Sequence, residues 1–152
     1  MKSLGKESLI TAIINLIVLT IVIILAFSFL INQKPLIGPI MIFLGAISLL
    51  PAVIFKIPFK SLKTEIIFGI VDNAVIVIFA LLGAAFFGVI GAVVGIAVGN
   101  SLVNGFAGIF KNIKAPLKEK RTILSITIGR FAGCLFGAGI ILTLVWSILR
   151  IF

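Results

Sequence analysis

Residues Gly69–Phe110 read GIVDNAVIVIFALLGAAFFGVIGAVVGIAVGNSLVNGFAGIF. The run is apolar almost throughout, and Asp72 is its one ionisable residue, with Asn73 beside it and Asn100, Ser101 and Asn104 near the other end. It is too long for one bilayer crossing, since about 20 apolar helical residues span the roughly 30 Å hydrocarbon layer. Two antiparallel spans with a turn between Leu82 and Gly88 account for its length.

The same pattern repeats along the chain. Of 152 residues, 62% are hydrophobic and 11% charged, far from the soluble average of about 25% charged. Leu9–Ile31 is about twice as long as the apolar region of a secretory signal, so it reads as a retained helix despite Lys2 and Lys6 before it. Pro35–Phe55 follows, with Pro39 and Pro51 near its ends, where breaks in the backbone ladder are easiest to tolerate. The expected fold is all-α: one polytopic membrane domain, 1–152, with spans at about 9–31, 35–55, 66–82, 88–110 and 123–149.

Charge orients these spans. The chain carries a formal +9, but its basic residues occupy short segments between apolar runs, which argues against nucleic acid as a partner. With five spans, Lys2, Lys6, Lys56, Lys60, Lys63, Lys111, Lys114, Lys118, Lys120 and Arg121 share one side, and Lys34 and Arg150 the other. Excess Lys and Arg mark the cytoplasmic face. The N-terminus is therefore expected inside and the C-terminus outside, in a multi-pass protein of the cell (plasma or inner) membrane. Trp146 falls near the outer interface, where its amphipathic ring is favoured.

Histidine is absent and Cys134 stands alone. A zinc site, a His-based acid–base pair and a Ser-His-Asp triad are thereby excluded, and no nucleophile lies near a base. The chain does not read as an enzyme, and no organic cofactor is expected.

Topology supplies depth. At about 1.5 Å per helical residue, Asp72 and Asn104 lie roughly 9 Å from the cytoplasmic end of their spans, Arg130 near 10 Å and Asn100 about 15 Å. An acidic or basic residue at such depth costs about 2.5–3.5 kcal/mol on insertion scales unless it is paired or can snorkel. Two readings follow. In one, Asp72 and Arg130 neutralise each other and the asparagines bridge helices. In the other, Asp72, Asn73, Asn100, Ser101 and Asn104 form an oxygen-rich site for a small cation, Na+ or Ca2+, because hard cations take carboxylate and carbonyl ligands.

Glycines recur at four-residue spacing: Gly91, Gly95 and Gly99 on the fourth span, Gly129, Gly133 and Gly137 on the fifth. Small residues at that interval let helix backbones approach closely. The two faces are expected either to pack on each other or to build a homo-oligomer. Gly99 and Gly105 bracket Asn100–Asn104, where a helix break would free carbonyls for an ion.

Three segments carry a likeness. Gly69-Ile-Val-Asp72-Asn73, then Gly99-Asn100 with Asn104 and Gly108, then Gly129 with Gly133-Cys134-Leu135-Phe136-Gly137, resemble in order the motifs of the transmembrane protein 65 family. The likeness covers about half the chain, Gly69 to Leu142. That family comprises helical inner-membrane proteins, mitochondrial in eukaryotes and associated with sodium-dependent calcium export, so the resemblance implies a cation transporter, sodium/calcium-exchanger-like, or a component of one. Three departures stand out: Asn104 where the family carries Asp, no acidic residue in the central turn, and Arg130 in place of an apolar residue. All three make the layer less negative, which disfavours calcium and favours a monovalent ion, or loss of transport. The alternative reading is a non-transporting scaffold or regulator in the lipid bilayer that oligomerises through its glycine faces.

Overall fold

The computed structural model describes residues 34–113 and 123–149, together with positions 10, 13, 14, 16, 17, 18, 20, 21 and 24, which are helical and exposed. Asn15, Lys114–Arg121 and Arg150 lie outside the described residues. A one-turn 3-10 helix at Lys34–Leu36 leads into α1 (Ile37–Ile47), α2 (Leu50–Ile54), α3 (Phe59–Ile113) and α4 (Ile123–Leu149). No strand occurs among the described residues. Three helical stretches, Ile37–Ile54, Phe59–Phe106 and Ile123–Ile148, are long and apolar enough to cross a membrane.

The break between α1 and α2 follows from Pro51, which sits in the first turn of α2. Its ring nitrogen has no proton to give the carbonyl four residues back, so the ladder cannot continue through it. Ser48 at the break is fully buried and satisfies its hydroxyl by donating to the Gly45 carbonyl at 2.7 Å. The chain then reverses through Lys56, which has a positive φ of 51°. α3 starts at Phe59, seven residues ahead of the expected third span, so Lys60 and Lys63 ride on its first turns rather than in a loop.

A straight 55-residue α3 would measure about 80 Å. It bends back instead, through non-helical backbone at Phe87 (φ −134°, ψ 18°) and Gly88 (φ 60°, ψ −141°). Gly88 adopts a conformation that L side chains avoid, and nothing lies within 4 Å of where its Cβ would be. The glycine is there for its backbone, not for packing. The arms before and after this turn, 59–86 and 89–113, run antiparallel. Gly91 meets Gly83, Gly95 meets Phe79 and Ala80, and Gly99 meets Ile76. This places the turn inside the window expected from the sequence.

α4 matches the expected fifth span and is the centre of the fold. The first arm of α3 packs along one side of it and α1 along another, while α1 scarcely touches α3. On the first side a Cβ on Gly129 would lie 2.8 Å from that of Glu65, and one on Gly133 would lie 3.0 Å from the Gly69 Cα. Gly137 abuts Ile70 in the same way. On the other side Gly38 and Gly139 face each other's carbonyls, at 2.9 and 2.8 Å from the Cβ positions. The two glycine stripes thus both pack on the first arm of α3, at 62–70 and at 76–83, rather than on each other. Below the charged residues, Ala52, Leu62, Leu124 and Ile128 form an apolar cluster that fixes α2, α3 and α4 together.

Candidate functional site in the charged layer

Glu65 and Asp72 lie seven residues apart on the first arm of α3, two helical turns along one face. That face meets α4 at Gly129–Cys134. The Glu65 carboxylate is buried, its side chain 10% exposed, and lies 3.7 Å from Nε of Arg130. The Arg130 side chain is half exposed and its guanidinium carbon stands 4.5 Å from the centre of the Phe68 ring. Pairing on one side and a cation–π contact on the other hold the guanidinium in place.

One of the two readings paired Asp72 with Arg130, but Arg130 pairs with Glu65 instead. Asp72 is half-buried, makes no hydrogen bond or ion pair among the described residues, and feels Arg130 only through space. The reason is geometric: Arg130 follows Gly129, whose Cβ position touches Glu65, so Glu65 is the nearer carboxylate by construction.

Asn73 does what a bridging amide does. Its Nδ2 donates to the Cys134 carbonyl oxygen of α4 at 2.6 Å. That bond pins the first arm to α4 one turn beyond the Glu65–Arg130 pair. The Asn73 amide oxygen is still on the same level as Asp72 and can serve a cation beside it.

The amides of the second arm are placed differently. Gly91, Gly95 and Gly99 face the first arm, and at 100° per residue Asn100, Ser101 and Asn104 fall on the side turned away. All three are exposed. Asn104 Nδ2 donates to Asn100 Oδ1 at 3.3 Å, and Ser101 Oγ to the Ala97 carbonyl at 2.9 Å. Continuing the glycine register by one turn sets Asp72 level with Val103, which is buried, and no hydrogen bond joins Asp72 to the three polar residues beyond it. The helix runs through Gly99–Gly105 unbroken, so no carbonyls are freed there. Among the described residues no group of three His, Cys, Asp or Glu side chains converges.

Glu65 is the residue that sequence reading missed. Three lysines from Lys56 to Lys63 read as a loop, which put Glu65 at a boundary. The signal was the spacing Glu65–Gly69–Asp72, a single helical face once the helix is allowed to start at Phe59.

Family models, curated proteins and solved structures offer no match to this chain, so the likeness to the transmembrane protein 65 family rests on the three motifs alone.

Proposed function

We propose that the protein is a five-span carrier of a small monovalent cation in the plasma or inner membrane, with Asp72 as the charged ligand and the Asn73 amide oxygen as a neighbour. The observation that carries this reading is the charge balance of the layer. Arg130 pairs with Glu65, and among the described residues the Asp72 carboxylate is a negative charge between apolar helices with no ion-pair partner of its own. Such a charge is costly in a bilayer unless a cation or proton neutralises it. One missing charge suits Na+ better than Ca2+.

The topology belongs to the same proposal. The two arms of α3 double back, so Lys56–Lys63 and Lys111 return to one side, as the Lys/Arg asymmetry requires of five spans with the N-terminus inside. The scaffold reading has its own support in the Asn73–Cys134 bond and the glycine contacts, which are structural and would serve a protein with no cargo.

Sodium flux into liposomes separates the two readings. Wild type is expected to conduct, and Asp72→Asn to lose most of that flux while keeping its helical circular dichroism. Flux absent from wild type, or equal in the variant, leaves the scaffold.

A further inference from the structure

We infer that the outer face of the second arm of α3 is the contact between two copies of this chain. Three observations converge on that face.

The first is Gly105. A glycine inside a helix is less favourable than alanine by about 1 kcal/mol, so each one needs a reason. Gly88 has its positive φ, and of the other glycines at 38–105 and 129–139 only Gly105 lacks another chain segment against its Cβ position among the described residues. Gly105 is helical, and among the described residues nothing lies within 4 Å of that position.

The second is the shape around it. Ala97, Ser101 and Gly105 follow one another at four-residue intervals and floor an exposed groove of about 650 Å³, with Val98, Leu102 and Phe106 forming its wall on one side. Furrows of small residues beside a ridge of larger ones are how membrane helices pack closely.

The third is polar. Next to the furrow residues along the helix lie Asn100 and Asn104, exposed within an apolar span. Their mutual bond uses one amide proton of Asn104 and the Asn100 oxygen. The Asn100 amide protons and the Asn104 oxygen have no partner among the described residues. A matched donor and acceptor on one face is self-complementary, so a two-fold axis can satisfy both at once.

A second copy fits better than the chain's own remaining apolar run, 9–31. That run joins the structure at Lys34, ahead of α1, which packs on α4. The link from Ile31 to Lys34 reaches about 10 Å at full stretch, and α1 scarcely touches α3, which carries the furrow. Run 9–31 also lacks small residues at repeated four-residue spacing. The inference stands whether or not the protein moves ions.

Disulfide cross-linking of the full chain in its membrane tests it. In a Cys134→Ser background, Ser101→Cys is expected to yield a covalent dimer on mild oxidation, and Ile140→Cys, at an exposed position of α4, is not. Adding Gly105→Leu to Ser101→Cys should weaken dimerisation roughly tenfold, the scale of lost close packing with its interhelical bonds. Equal cross-linking at both sites, no dimer at Ser101→Cys, or an intrachain cross-link between Ser101→Cys and Asn15→Cys would each overturn the inference. Unchanged cross-linking on adding Gly105→Leu would do the same.

Discussion

Arg130 should be energetically coupled to Glu65 and only weakly to Asp72, and a pair of double-mutant cycles can measure both. At the observed 3.7 Å, two unit charges attract by about 4 kcal/mol at an effective dielectric near 20. Half of the Arg130 side chain is exposed, so screening lowers the coupling to about 1–2 kcal/mol. Asp72 has no direct contact with the guanidinium, and its coupling should stay below about 0.5 kcal/mol, the level at which separated sites add. The single variants should also be unequal. Arg130→Met takes a charged partner from a carboxylate that is only 10% exposed and should destabilise by about 2–3 kcal/mol, whereas Glu65→Gln leaves a guanidinium that can turn toward the interface and should cost about 1 kcal/mol. Reversible unfolding in mixed dodecyl sulfate micelles, followed through the single tryptophan, Trp146, gives each free energy. The reasoning fails if the Arg130–Asp72 coupling equals or exceeds the Arg130–Glu65 coupling, or if Glu65→Gln is the more damaging single change.

Three other substitutions test the packing by the same unfolding measurement. Gly133→Ala places a methyl about 3.0 Å from the Gly69 Cα and should destabilise by about 1–3 kcal/mol; a neutral result would mean that the α3–α4 contact is looser than described. Gly88→Ala meets no atoms but forces φ to 60° on an L residue, and should cost about 1–2 kcal/mol from backbone strain alone. If Gly88→Ala instead stabilises, the turn is not where the dihedral angles put it. Asn73→Leu removes the bond to the Cys134 carbonyl and should cost about 1 kcal/mol, seen as earlier unfolding with unchanged helix content.

Sequence periodicity made the helices legible because apolar runs in a membrane protein carry their own lengths. Ile123–Leu149 and the reversal near Gly88 could both be read from residue type. Pairing was harder. Four-residue glycine spacing announces that some backbone comes close, but it does not say which, and here Gly91–Gly99 and Gly129–Gly137 both reach the same arm, at different heights. Depth along the membrane normal was equally insufficient for the site. Asn100 and Asn104 share a level with Asp72 by counting residues, yet rotation about the helix axis carries them to the far side of the second arm. A level is one coordinate; side-chain contact also needs azimuth, which only the packed partner fixes. Glu65 escaped for the same reason, since its role depends on what Gly129 allows to approach.

The two-residue reversal at Phe87–Gly88 bears on how the chain enters its membrane. No charged side chain lies between Asp72 and Lys111 to halt one arm at the far headgroups while the other waits, and backbone-to-backbone contact leaves no gap for lipid between them. The hairpin is expected to insert as a preformed loop once both halves have left the ribosome. A cysteine in place of Ile78 should therefore still react with an aqueous maleimide when the emerged nascent chain ends near Gly88, and be protected once the chain has emerged past Lys111.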